Sequence, residues 1–355
     1  MPLQKLMSRL GETGAECALI ESPVNRRYFT GFHSSAGMLL VSADRAVHLL
    51  DFRYFEMAKQ AAARPGLQTR QARDFLAAAR EVCREWGISS LGIEAQWQPV
   101  ARATRLEKEL PCQVVWDGKL DRLIGELRAV KTPEERNKIA AAQQVTEAAF
   151  VHALNRIRPG VTERTLTAEI DCFFRREGAE LAFETICVAG PNSSLPHGEP
   201  SAYQVQPGDF ITFDMGAKLD GYCSDMTRTV ALGKVKPEQR RIYGAVLEAQ
   251  TAVLARLKAG MTGKDGDAIA REIISREGFG ECFGHGTGHS VGLEIHESPC
   301  LNTADETILR PGMVVTVEPG IYLEGRFGVR IEDMVAVEED GVYNFTAVDK
   351  TLLEL

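Results

Sequence analysis

One segment restricts this chain more than any other: DFITFDMGAKLDGYCSDMTRTVAL, residues 209–232. Two runs with apolar residues at alternate positions flank Asp220-Gly221. That pair suits a two-residue hairpin turn, whose central positions both need positive φ. Folded about this turn, Leu219 faces Tyr222 and Asp214 faces Thr227. Asp225 then shares a face with Asp214, diagonally displaced by roughly 7–8 Å. Arg228 falls on the opposite face, and no Lys or Arg of the hairpin is set to neutralise the two acids. Paired carboxylates on a half-buried sheet are penalised by desolvation and repulsion. Either that face is solvated or a cation lies between them.

A second segment repeats the pattern. GMVVTVEPGIYLEGRFGVRIEDMVAVEE, residues 312–339, folds about Gly325 so that Glu318 and Glu332 oppose each other. Between the two hairpins lies GHGTGHSVGLEIHESP. His285 and His289 are four apart, the spacing of a helical zinc pair, but Gly284, Gly286 and Gly288 disfavour a helix by about 1 kcal/mol each. The segment reads as a loop entering a strand. The chain has only 7 His, and His285, His289 and His296 fall within this short stretch. Oxygen-rich donors with an imidazole suit Mn2+, Co2+, Fe2+ or Zn2+. Four carboxylates and a histidine exceed the three protein ligands of one catalytic zinc and suit two ions about 3.5–4 Å apart.

Composition narrows the alternatives. A net charge of −8 argues against nucleic acid or an anionic membrane as the main partner, since both select clustered Lys and Arg. No apolar run approaches the ~20 residues of a membrane span, and the N-terminus lacks a signal-peptide core. A cytoplasmic location is expected. The 8 Cys include no CxxC pair, which disfavours a structural zinc site or a thioredoxin-like motif. Cys223 stands out because it lies two residues before Asp225.

The 355 residues suit two domains. Residues 1–122 alternate short strands (ECALIES, MLLV, AVHLL, SLGIEA) with helical patterns at 53–63 and 74–86, and Leu3, Leu6, Met7 and Leu10 mark an amphipathic first helix. This is an α/β domain. From 123 to 355 the chain reads as α+β. Thr132-Pro133-Glu134-Glu135 starts a helix that runs to about 158. Further helices are expected at 162–178, 237–259 and 263–277, each pair followed by strands. That order suggests two related halves, each with helices on one face of an antiparallel sheet.

The motifs DMG, SDMTRT, GHSVGLEIHE, TVEPGIY and GVRIED, in this order, resemble the pita-bread metallopeptidases: methionine aminopeptidase, aminopeptidase P, prolidase and creatinase. NRRYFTGFHSSAGMLLV with LLDFRY is similar to the creatinase-like N-terminal domain of prolidase and aminopeptidase P. The resemblance implies a dinuclear Xaa-Pro peptidase acting on short proline-containing peptides, with Mn2+ the first candidate ion, and a homodimer. It assigns Asp214, Asp225, His289, Glu318 and Glu332 as metal ligands and Glu318 as general base. It implies substrate contact by His197 and His296, a proline-side pocket at His285, an orienting role for Arg330, and Thr227 as the partner of Asp225. An aminopeptidase P type is expected over a dipeptide-restricted prolidase. A metal-free C–N hydrolase and a non-catalytic peptide-binding module of the same fold are the other readings, and both should show broken ligand positions.

Overall fold

The computed structural model describes residues 1–60 and 65–355. They form two compact units, Met1–Arg128 and Ala129–Leu355. The sequence boundary at 123 falls within the helix Lys119–Ala129.

The first unit holds one mixed six-stranded sheet. Its strands are β1 (Cys17–Ile20), β2 (Met38–Ser42), β3 (Ala46–Leu50), β4 (Leu67–Gln71), β5 (Ser90–Ile93) and β6 (Gln113–Val115), in the order β4-β3-β2-β1-β5-β6. Strands β1 to β3 are buried along their whole length, which explains why they read as continuous apolar runs rather than alternating ones. The first helix, Pro2–Arg9, buries Leu3, Leu6 and Met7 as expected. Asp74 caps helix Phe75–Trp86 by accepting from the Leu76 and Ala77 amides. The helix expected at 53–63 is observed as Phe52–Gln60; residues 61–63 lie outside the described residues.

The second unit repeats one plan twice. Helices Pro133–Leu154 and Glu163–Arg176 precede β7 (Glu180–Leu181), β8 (Ile186–Ala189), β9 (Phe210–Met215), β10 (Ala217–Leu219), β11 (Tyr222–Cys223) and β12 (Met226–Ala231). Helices Pro237–Arg256 and Gly263–Arg276 precede β13 (Gly288–Ser290), β14 (Glu297–Leu301), β15 (Val314–Val317), β16 (Gly320–Leu323), β17 (Phe327–Arg330), β18 (Asp333–Val337) and β19 (Val342–Asn344). The sheets run β12-β9-β8 in the first half and β14-β13-β15-β18-β19 in the second. Thr162 and Thr262 cap corresponding helices and form corresponding bridges, to Gln204 and Ile308. Thr132 and Glu135 complete a reciprocal cap at the long helix. That helix stops at Leu154 rather than near 158, because the Asn155 side chain takes up the Val151 carbonyl and the chain turns out towards Pro159-Gly160.

In each half the helices cover one face of the sheet. On β9, Ile211, Phe213 and Met215 pack into the helix-covered core. Asp214, between Phe213 and Met215, is displayed on the opposite face. The fold thereby leaves one sheet face of each half free for polar chemistry.

Candidate metal centre

Both hairpins have the expected register. Asp214 opposes Thr227 in the β9–β12 ladder, and Leu219 opposes Tyr222 at the turn. Asp220 and Gly221 take φ of 47° and 82°, the pair of positive angles that a type I′ turn requires. In the second hairpin Val317 opposes Asp333 and Gly320 opposes Arg330, so the register is centred on Gly325.

Each ladder opens where the acids lie. In the first, Gly216 stands opposite Asp225, and a Cβ at 216 would fall 2.2 Å from the Ser224 carbonyl oxygen. In the second, Pro319 offers no N–H. The Glu318 amide turns away to the Thr287 carbonyl and the Glu332 amide to the Thr227 carbonyl. These two bonds tie the second hairpin to the histidine segment and to the first hairpin. Side chains from all three segments therefore meet in one place.

They line a cavity of about 540 Å³ that contains Asp214, Asp225, His289, Glu318 and Glu332, together with His197, His285, His296 and Arg330. His289 Nε2 lies 3.4 Å from Glu318 Oε1 and 3.6 Å from Asp225 Oδ2. Asp225, His289 and Glu332 each offer a donor atom within 4.8 Å of the others. His289 Nδ1 lies 3.2 Å from the Ser290 carbonyl oxygen. A carbonyl can only accept, so Nδ1 carries the proton and the Nε2 lone pair faces the acids.

The electrostatics call for cations. Asp225 is 4% exposed and Glu332 1%. Burial, then the Glu332, Asp214 and Glu318 charges, holds the Asp225 carboxyl well above the ordinary range. Burial and the Glu318 and Asp214 charges do the same to Glu332. Burial pushes Glu318 up to about 7, with Arg330 opposing and Asp214 adding to it. Two buried oxygens, Asp214 Oδ1 and Glu332 Oε1, have no hydrogen-bond partner among the described residues. Buried carboxylate oxygens are costly when bare, and divalent ions satisfy them. The donor set fits.

Metal binding must then displace protons. Because Asp225 and Glu332 are raised, the metal-free protein retains protons there above the ordinary carboxylate range, and metal affinity is expected to rise with pH. Calorimetric titration of chelator-treated protein in buffers of different ionisation enthalpy should show proton release. A heat independent of buffer would show that these acids were already ionised.

Two expectations need correction. The acids are not without a local cation: Arg330, from the other hairpin, donates through Nη2 to Asp214 Oδ2 at 2.6 Å. Thr227 does not serve Asp225; its hydroxyl donates to Glu332 Oε2 at 2.8 Å and accepts from Arg330 Nε at 3.1 Å. Cys223 is not among the cavity residues; its thiol faces the Leu293 carbonyl.

The remaining expected residues surround this floor. The His289 and His296 rings stand 4.5 Å apart, edge to face. His285 is held neutral, with burial pushing it down to about 4. Its Nδ1 donates to the Gly286 carbonyl, so Nε2 accepts from the Tyr322 hydroxyl at 2.9 Å. That hydroxyl in turn accepts from Arg330 Nη1. Tyr322 escaped the sequence reading, although its place in the strand after Glu318 was the available signal. Lys131 also escaped it. Its ammonium is buried against Glu297 and Ser290, beside the turn that presents His296, and lies 159 residues from Ser290 in the chain.

Comparison with known proteins identifies the family. The model of metallopeptidase family M24 matches residues 137–339, and that of the creatinase/prolidase N-terminal domain matches residues 2–130. The Xaa-Pro dipeptidase of Pyrococcus furiosus is 37% identical over 353 residues, 99% of each chain. The structure of an Xaa-Pro dipeptidase from Bacillus anthracis superimposes with a TM-score of 0.95 at 39% identity, covering 100% of this chain and 99% of that one. An X-Pro aminopeptidase from Thermotoga maritima MSB8 gives a TM-score of 0.89 at 34% identity, covering 96% and 98%. The chain belongs to metallopeptidase family M24, with the pita-bread fold and a creatinase/prolidase-type N-terminal domain.

Proposed function

We propose that this metallopeptidase hydrolyses Xaa-Pro dipeptides with two divalent ions held by Asp214, Asp225, His289, Glu318 and Glu332. The observation that carries the reading is the convergence of these five side chains in one cavity, with bare oxygens on Asp214 and Glu332. The dipeptide preference replaces the aminopeptidase P type expected from the sequence. It draws its support from relatives described as Xaa-Pro dipeptidases at 34–37% identity and from the dipeptidase structure at 39%.

When bound, the ions polarise the scissile carbonyl and lower the pKa of water; Mn2+ is the first candidate, and Co2+, Zn2+ and Fe2+ suit the same donors. Glu318 takes a proton from the attacking water and passes it to the departing proline nitrogen. His197 and His296 donate to the developing oxyanion from the cavity wall. Arg330 braces Asp214 and, through Tyr322, fixes the neutral ring of His285.

The test is proline release from an Xaa-Pro dipeptide beside Xaa release from an Xaa-Pro-Yaa tripeptide, each with added Mn2+ and with chelator. Chelator-sensitive cleavage confined to the dipeptide is expected. Efficient tripeptide cleavage would return the protein to the aminopeptidase P type, and failure on both substrates with every divalent ion would sink the proposal.

A further inference from the structure

His197 reaches the cavity on a loop, residues 189–201, that leaves the sheet after Ala189, the last residue of β8. The same loop supplies the Pro196 carbonyl to Arg330 Nη1 at 3.2 Å. Its Ser193 and Ser194 hydroxyls accept from the Gly328 and Gly325 amides of the second hairpin, and its two ends are joined by a carboxylate outside the cavity lining. Glu163 is the first residue of helix Glu163–Arg176 and is 0% exposed. Its Oε1 accepts from the Ala189 amide at 2.6 Å and from Asn192 Nδ2 at 3.0 Å. Its Oε2 accepts from the Ser201 amide at 2.8 Å and the Ser201 hydroxyl at 2.6 Å. One side chain thus joins the entrance of the loop to its exit. The helix start reinforces the exit: the Glu163 and Arg164 amides donate to the Tyr203 and Ser201 carbonyls.

The second half shows that such a helix start does not itself need a carboxylate. There Gly263 follows the capping Thr262, and its amide and that of Lys264 donate to the Thr307 and Asp305 carbonyls in the same manner. A Cβ at 263 would fall 2.1 Å from the Cys300 carbonyl oxygen, because β14 passes directly over it. Where a strand occupies that space, no side chain fits. Where a histidine-bearing loop occupies it, a fully buried acid is present. A buried carboxylate is expensive unless its oxygens are satisfied, and here amides and a hydroxyl satisfy them.

We propose that Glu163 is the positioning residue for His197: its carboxylate clips the two ends of the 189–201 loop and so sets where the imidazole stands over the cavity. The role of His197 in turnover rests on the function proposed above; the clip itself does not.

The experiment compares Glu163→Gln and Ser201→Ala with the wild type in four measurements: amide hydrogen exchange, metal content, steady-state kinetics on an Xaa-Pro dipeptide, and kinetics in a His197→Ala background. Glu163→Gln presents an NH2 to donors that need an acceptor. Exchange across 189–201 is expected to rise while β9 and β12 stay protected, with metal content unchanged. kcat should fall about 10- to 100-fold, the cost of misplacing a group by roughly an ångström, with KM little altered. With His197 already removed, Glu163→Gln should cause no further loss, since residues acting as a unit are not additive. Ser201→Ala should move each measurement in the same direction by less, and it decides the matter if Glu163→Gln fails to fold. Unchanged loop exchange, loss of metal, or fully additive losses with His197→Ala would overturn the proposal. A wild type that cleaves no Xaa-Pro substrate would overturn the function and leave the exchange measurement to decide the clip.

Discussion

Glu332→Gln is expected to abolish turnover while the chelated protein becomes no less stable. In the native chain Glu332 is 1% exposed, faces the Glu318 and Asp214 charges, and has one oxygen bonded to Thr227 and one with no partner. Gln preserves the shape and the Thr227 bond and is neutral without taking up a proton, so the metal-free state no longer bears the cost of protonating this buried acid. The same change removes a donor from the ion site. A loss of about 10³-fold or more in kcat/KM corresponds to the several kcal/mol of charge stabilisation that a correctly held ion supplies. Metal content by elemental analysis should drop. Thermal stabilisation by added Mn2+, which follows from selective binding to the folded state, should shrink. A variant with near-normal turnover and full metal content would remove Glu332 from the ligand set.

Asp333→Ala, one residue along the chain, should do the opposite: retain the ligand set and unfold the protein at lower temperature. Asp333 is 0% exposed, and its Oδ1 accepts from Arg228 Nη2 at 2.7 Å. Its Oδ2 accepts from Asn344 Nδ2 and from the Lys350 ammonium. Arg228 is itself 2% exposed. Removing the acid leaves a buried guanidinium without its counter-charge, a change that costs about 3–5 kcal/mol. In a unit of this size that corresponds to a fall of roughly 10 °C in Tm. The sign with pH follows from the same contacts. Burial raises the Asp333 carboxyl, but Arg228 and Lys350 outweigh it and hold it below the ordinary range. Its stabilisation is present above the unfolded carboxylate value and is lost as pH falls through the lower folded value. The gap between wild type and variant should therefore be full at neutral pH and close in acid. A difference under 1 kcal/mol at pH 7 would mean that the pair is not the brace the structure describes.

These two substitutions concern adjacent residues at the start of β18 whose side chains meet different partners, and the division between them was partly legible in advance. Turn chemistry and alternating apolar residues act within about twenty residues. They were enough to set both hairpin registers, to place Asp214 diagonal to Asp225 and Glu318 opposite Glu332, and to put Arg228 on the other face. Glycine spacing was enough to exclude a helix around His289. The helix start at Thr132 was readable because a capping side chain bonds its own first turn. What local pattern could not supply was the pairing of side chains far apart in sequence. Arg330 meets Asp214 across 116 residues and Thr227 meets Glu332 across 105. The sequence reading left Asp214 without a cation and gave Thr227 the wrong acid. Glu163 beneath the His197 loop has no spacing signature at all, and Tyr322 had only its place in the strand after Glu318, which does not point to His285. The sequence by itself determined which residues are candidates to carry the chemistry and which face of each hairpin they occupy, because those properties depend on strand period and turn geometry. Only the tertiary structure decided which charges are compensated, which oxygens stay bare for an ion and what holds each imidazole in place, because those depend on how the two halves close over one cavity.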